Sequence, residues 1–445
     1  MSGDRGGRSL ATDPGKLARV RVSLDALVPA LALCVGIGLP LYAGWRRGRG
    51  YAAFAAVLLA FALPGACIAH ARLAAWVGPS WRAVLDVAFA WGIAALGVHL
   101  AHLVHAQLRG RVFRALVSVP GQVFCAAGFL AGVWLLALLP VRALLAAAGQ
   151  DAVLDALRPL DALPFALALG SLATSLRASP EWVRIALAEP APPQFTRVPT
   201  SRHRRPPAPL DAPSLRLVQV ADPHLGPWKS IGRLQRNLEH LLAQDPHLVV
   251  LTGDFLTMEG RGSPGSLTRA LAPLRAVAGR SYAVFGNHDL EAEDEVRAAL
   301  DANGVRLLED EEVAIDSPLG PLQILGARYV ARGRDAHLAA LCARYPRRAG
   351  HLRLLLLHDP GAFHHLPPDC VDLTLSGHTH GGQLGLLSFG LDWTVLSRTR
   401  WPDHGLFARG AERLYVHRGT GFYGFPLRIG VPGEHSVLEL VGPRS

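Results

Sequence analysis

Five short blocks of Asp, His and Asn in the second half of this 445-residue chain constrain it more than any other feature. They are Asp222-Pro223-His224, Gly253-Asp254, Gly286-Asn287-His288-Asp289, the single His358, and Gly377-His378-Thr379-His380-Gly381-Gly382-Gln383. Each closes an apolar, β-branched run, so each is expected where a strand ends and a loop begins. Open α/β sheets place their ligand sites at that edge. The blocks supply oxygen and imidazole donors and no thiolate, a set that suits two divalent metals such as Mn, Fe or Zn. One block alone carries little weight, whereas five in this order point firmly to a two-metal centre.

Composition divides the chain in two. Half of its residues are hydrophobic, and they crowd into 24–177, while 206–445 reads as an ordinary globular segment. Residues 1–205 hold 21 Arg and Lys against 9 Asp and Glu, a balance of +12; residues 206–445 hold 24 against 26, a balance of −2. The basic excess therefore sits with the apolar half. A nucleic-acid binder would cluster it on the binding domain, so nucleic acid is an unfavoured partner and anionic lipid head groups are a better one. The five cysteines include no CxxC pair. Cys34, Cys67 and Cys125 fall in apolar segments as small packing residues, Cys342 and Cys370 stand alone, and neither a zinc ribbon nor a disulfide framework is expected.

About 20 apolar residues cross a bilayer. Candidate spans lie near 26–45, 51–69, 83–105, 116–139 and 161–177, the last one short. Four or five spans are expected, with five preferred. The predicted division is a basic tail over 1–23, a transmembrane helical region over 24–180, a Pro/Arg-rich linker over 181–213, and a catalytic domain over 214–445. Basic residues in the tail and in the first and third loops nearly cancel, so charge does not fix which side the domain faces. His99, His102 and His105 share one helix face. They suit either a haem, metal or proton site or, as preferred here, a polar seam against a neighbouring helix. The linker, with Arg202, His203, Arg204 and Arg205, is expected to act as an extended spacer beside the membrane.

From residue 214, strand and helix patterns alternate: strands near 215–220, 248–251 and 282–285, helices near 231–242, 267–277 and 294–303. Later runs at 322–326, 352–357, 371–375, 414–417 and 436–441 read as strands. This order predicts an α/β domain with a two-sheet core and helices outside.

The five blocks match DxH, GDx, GNH[DE], a lone His and GHxH, and over about 220–420 the chain resembles the calcineurin-like metallophosphoesterase superfamily. The Gly377–Gln383 string, with Arg418-Gly419-Thr420-Gly421 and Phe425-Pro426-Leu427-Arg428, is similar to its membrane-associated YkuE/YaeI-like phosphodiesterase branch. The resemblance implies a four-layer α-β-β-α domain. It implies one metal on Asp222, His224, Asp254 and His380, and a second on Asp254, Asn287, His358 and His378, with Asp254 bridging. His288 would protonate the leaving group or steady the transition state, and Asp289 would orient His288. Outside the blocks, Arg328, Arg418 and Arg428 suit either phosphate contact or salt bridges. His364 and His365 are alternatives to His358 as the lone ligand, with His358 preferred because it ends the strand; His404 and His417 suit surface or core positions. The apolar run Leu386, Leu387, Phe389, Leu391 and Trp393 suits either lipid contact or core packing.

The expected activity is hydrolysis of a phosphodiester or pyrophosphate bond in a lipid-linked or envelope substrate. A UDP-2,3-diacylglucosamine pyrophosphatase-like hydrolase of lipid A synthesis is a specific alternative. A non-enzymatic membrane sensor and a nuclease are the readings from other classes. Abundant Ala, Arg, Gly and Leu beside two lysines suggests a GC-rich bacterial genome, and so an inner-membrane location.

Overall fold

A computed structural model describes residues 24–442 except 188, 190, 201 and 209–211, so the basic tail over 1–23 lies outside the described residues. The apolar half forms long helices: α1 (Leu24–Arg47), α2 (Arg49–Trp76), α3 (Pro79–His102) and α4 (Val119–Ala147). Among the described residues these four are long and apolar enough to cross a membrane, α4 with its lead-in from Arg111. A fifth, α5 (Leu163–Leu176), has 14 residues, about 21 Å at 1.5 Å per residue, short of a full hydrocarbon layer. The preferred five spans thus become four full-length helices and one short one. The sequence ahead of α5 explains the shortfall: Asp161 accepts hydrogen bonds from Arg72, Arg142 and Trp134. These partners fix a buried charge at the far end of the bundle.

Packing within the bundle relies on missing side chains. A Cβ on Gly65 would stand 2.4 Å from the Gly128 carbonyl oxygen, and one on Gly128 would stand 2.3 Å from that of Ala62. Small residues permit such backbone contact between membrane helices, where packing rather than the hydrophobic effect drives association.

Two seven-stranded sheets follow the helices. Their strands are β1 (Ala178–Ala186), β2 (Thr196–Arg197), β3 (Arg202–His203), β4 (Ser214–Val220), β5 (Leu248–Leu251), β6 (Ser281–Ala283) and β7 (Arg306–Leu307). They continue with β8 (Glu311–Ile315), β9 (Leu322–Gly326), β10 (Leu352–Leu356), β11 (Leu373–Ser376), β12 (Gly405–Arg409), β13 (Glu412–Val416) and β14 (Gly433–Val441). One sheet has the order β3-β1-β14-β4-β5-β6-β7 and the other β2-β12-β13-β11-β10-β9-β8. Leu217, Val250, Leu354 and Leu375 are among the residues that fill the space between the sheets. Their neighbours Val218, Val249 and Leu355 face the outer helices. Both faces of these strands are buried, which is why they read as continuous apolar runs rather than alternating ones. Helices α6 (Ile231–Leu242) and α7 (Glu293–Asp301) cover the first sheet through Leu234, Leu238, Val296 and Leu300; α8 (Arg334–Arg344) covers the second through Leu338 and Leu341. The expected four layers are present.

Three expectations are corrected. The stretch expected as a spacer is partly sheet: Ala178–Ala186 pairs in parallel with Gly433–Val441, and β2 and β3 add edge pairings. Its partner lies more than 250 residues away, so no local pattern could reveal it. The helix expected over 267–277 breaks into Ser266–Ala270 and a 3-10 turn, Ala272–Val277, because Pro273 has no N–H to continue the first. Cys342 and Cys370 form a disulfide with Cα atoms 6.5 Å apart; α8 and the turn before β11 bring them together. Such bridges persist in oxidising compartments.

The two halves dock closely. The Leu108 N–H donates to Ser263 Oγ at 2.7 Å, Ser171 Oγ to the Pro426 carbonyl at 2.8 Å, and the Arg428 N–H to Ser175 Oγ at 3.0 Å. His99 bonds the Gln122 amide at 2.8 Å, and Gln122 accepts from the Trp228 indole. His102 packs on Phe113, and His105 meets Arg46. The three histidines do not converge on one point; His99 is a buried polar link between bundle and domain.

A side chain at Gly128 should force α2 and α4 apart. Gly128→Leu is expected to cost about 1–3 kcal/mol as an overpacked site, read as a lower thermal midpoint of the detergent-solubilised chain. Gly132→Ala, whose Cβ would meet its nearest neighbour at 3.8 Å, should cost far less. Equal midpoints for both would contradict this packing.

Candidate metal centre

The five blocks meet at the ends of β4, β5, β6, β10 and β11, where the chain leaves the sheets. Several of these residues hold left-handed backbone: φ is 49° at Asp222, 44° at His224, 59° at Asp254, 72° at His378 and 52° at His380. Such conformations are uncommon outside glycine and cluster where a site over-determines them. Glycines allow the loops to touch. A Cβ on Gly286 would lie 2.2 Å from Asp254 Oδ1, and one on Gly377 would lie 2.3 Å from Asp222 Oδ2.

Two donor groups result. Asp222, His224 and His380 bring ligand atoms within 4.8 Å of one another, as do Asp254, His358 and His378. Asp254 lies between them: its Oδ2 is 3.7 Å from His224 Nε2 and 3.3 Å from His358 Nε2. The Asn287 amide oxygen is 3.2 Å from His358 Nε2. His358 Nδ1 is 2.6 Å from the Thr252 carbonyl, an outer contact that leaves Nε2 free to ligate.

These donors fit a pair of divalent cations. Burial pushes the Asp222 carboxyl up to about 8 and the His224 imidazole down to about 3. Burial also lowers His378 to about 4. These imidazoles are therefore neutral near pH 7, the form that ligates. Burial opposes charge on His358, yet Asp254 and Asp222 together hold it up at about 10. A proton there stands where the carboxylates call for positive charge.

His288 sits beside this cluster, half-buried. Its ring lies 5.7 Å from that of His224 and stacks at 4.5 Å on Tyr423. Asp289 differs from expectation: it is not set against the His288 ring. Its carboxylate accepts from the backbone N–H groups of Asp254 (2.7 Å), Phe255 (2.8 Å) and Gly286 (2.8 Å). It ties two ligand loops together. The carboxylate that meets the His288 ring is that of Glu291, 3.9 Å from Nδ1. Glu291 and Tyr423 were not found from the sequence. Glu291 lies three residues after His288, a spacing that brings side chains together in helical backbone; Tyr423 gave no local signal.

The remaining candidates fall elsewhere. Arg418 is buried between Glu181 and Glu434. Arg428 is also buried, donating to the carbonyls of His380 and Gly421. Arg328 pairs with Glu293 and Glu309 near the surface. His364 packs on Phe195, His365 meets Asp335, His404 meets Asp392, and His417 accepts from the Gly419 N–H. Leu386, Phe389, Leu391 and Trp393 are exposed rather than packed in a core.

Comparison with known proteins agrees with this geometry. Residues 215–382 match the family model for Calcineurin-like phosphoesterase. The chain is 28% identical over 236 residues to Phosphodiesterase YaeI of Escherichia coli, covering 52% of this chain and 84% of that protein. It is 32% identical over 239 residues to the metallophosphoesterase YkoQ of Bacillus subtilis, covering 51% and 83%. It is 30% identical over 248 residues to a transmembrane protein with metallophosphoesterase domain of Danio rerio, covering 51% and 53%. The chain belongs to the calcineurin-like phosphoesterase family of metal-dependent phosphoric ester hydrolases.

Proposed function

We propose that the chain is a membrane-anchored phosphoesterase that hydrolyses a phosphodiester or pyrophosphate bond in a lipid-linked or envelope substrate of a bacterial inner membrane. Asp222, His224, Asp254 and His380 would hold one divalent ion, and Asp254, Asn287, His358 and His378 the other. The observation that carries this reading is the position of Asp254 Oδ2, within 3.7 Å of imidazoles from both donor groups. When bound, a divalent pair supplies charge for the phosphoryl oxygens and activates water.

The chain's own residues do the rest. Asp254 Oδ1 accepts from the His288 N–H at 2.9 Å, which fixes the carboxylate and leaves Oδ2 toward the two donor groups. Burial lowers the His288 imidazole below its ordinary value. As a neutral ring it can donate its N–H to a phosphoryl or leaving oxygen. Tyr423 fixes the plane of that ring, and Asp289 holds the loops that carry Asp254 and Asn287. The exposed apolar side chains at 386–393 support contact with lipid. A pyrophosphatase acting on UDP-2,3-diacylglucosamine is the specific second reading, favoured by the apolar cavity that adjoins His224 and His288.

Asp254→Asn is expected to lower bound metal and reduce turnover at least about 100-fold, since loss of such a group removes several kcal/mol of transition-state stabilisation. Unchanged metal content and rate would contradict the bridging assignment. The function is tested on the full chain, stripped of metal and resupplied with Mn, Zn, Fe or Mg, with bis-p-nitrophenyl phosphate as substrate. Metal-dependent cleavage should fall about 100-fold or more in His288→Ala, with both metals retained. Two bound metals and no cleavage of any phosphoester would favour the sensor reading.

A further inference from the structure

The apolar cavity is shared between the two halves of the protein. It has a volume of about 380 Å³. His224, His288 and Tyr423 line one part of it, and Phe54, Leu58, Leu96, Leu100 and Cys125 of the membrane helices line another. Lys229, Arg233 and Arg261 also face it, beside Glu259 and Glu291, so charged groups of both signs adjoin the apolar wall. A second groove, about 390 Å³, opens between α2 and α4 and is lined by apolar side chains, among them Val57, Phe61 and Phe129. Val57 and Phe61 are 56% and 63% exposed on the outer face of the bundle, where the bilayer would lie.

Phe54, Leu58, Cys125 and Phe425 line both spaces. The partition between bilayer and catalytic cavity is therefore one layer of side chains. Phe425 comes from the catalytic domain and packs 6.1 Å from Phe129 of α4. Two residues earlier in the same loop, Tyr423 stacks on His288. A single short loop thus touches both the groove and the catalytic histidine.

We infer that the substrate is a long-chain lipid phosphoester whose acyl chain enters sideways from the bilayer, between α2 and α4 past Phe425, and lies in this cavity while its phosphate meets the metal residues. The inference rests on the phosphoesterase reading above and adds the substrate's class and path. Its physical basis is the cost of the other route. Lifting an acyl chain into water costs about fourfold in equilibrium for each methylene exposed. Transfer from lipid to an equally apolar cavity carries no such cost.

The test uses the full chain in phosphatidylcholine nanodiscs and two p-nitrophenyl phosphodiesters that differ in the second ester, one long-chain and one methyl. Cys125→Trp and Leu58→Trp fill the cavity from two different helices. Each is expected to lower the long-chain to methyl ratio of kcat/KM about tenfold relative to wild type, through KM rather than kcat. Partition into the disc is common to wild type and variants, so it cancels. An unchanged ratio in both variants overturns the inference. If the wild type cleaves neither ester, the phosphodiesterase form of that reading has failed, and a diazirine-bearing long-chain alkylphosphonate then decides without turnover. Labelling at Leu96 and Leu100 that both Trp variants abolish supports the path. Labelling confined to the outward residues Val57 and Phe61 overturns it.

Discussion

Everything at the centre depends on loops passing closer than a Cβ permits. The backbone at Gly286 lies against the Asp254 carboxylate and that at Gly377 against Asp222. With those approaches made, the Asp222 carboxylate accepts the His378 N–H at 3.0 Å, and Asp289 gathers the N–H groups of Asp254, Phe255 and Gly286. The left-handed backbone at Asp222, His224, Asp254, His378 and His380 is held by this mesh. The Asp222 and Asp254 carboxylates and the His358 ring are thus positioned by hydrogen bonds to main chain, and the ligand atoms gather in two groups.

The same economy links the site to the membrane. Arg428 is fully buried and donates to the carbonyls of His380, Gly421 and Val431, while its own backbone meets Ser175 of α5. Arg418 joins Glu181 of β1 to Glu434 of β14. A displacement of the bundle would therefore be felt at His380 through one side chain. It also follows that a cut at residue 206 would remove β1 and leave β14 without its parallel partner. The catalytic domain and the helices behave as one structural unit.

The centre was legible in the sequence because its chemistry is concentrated in short blocks at strand ends. Asp222, His224, Asp254, Asn287, His358, His378 and His380 could each be picked out by residue type and place at a strand end, and the folded chain brings them together. Asp289 was found but given the wrong contact, since nothing local says whether a carboxylate turns toward a ring or toward backbone N–H groups. The features that were missed are the non-local ones. β1 exists through pairing across the length of the chain, Cys342 and Cys370 meet only after α8 folds onto the second sheet, and Tyr423 reaches His288 from a loop 135 residues away. The cavity between the halves belongs to no single segment.

The most direct test of the account is anomalous X-ray scattering from crystals of the full chain grown with Mn. Two peaks are predicted, one among Asp222, His224 and His380 and one among Asn287, His358 and His378, with Asp254 between them. A single peak, or none, with these residues ordered would contradict the two-metal centre on which the proposed chemistry rests.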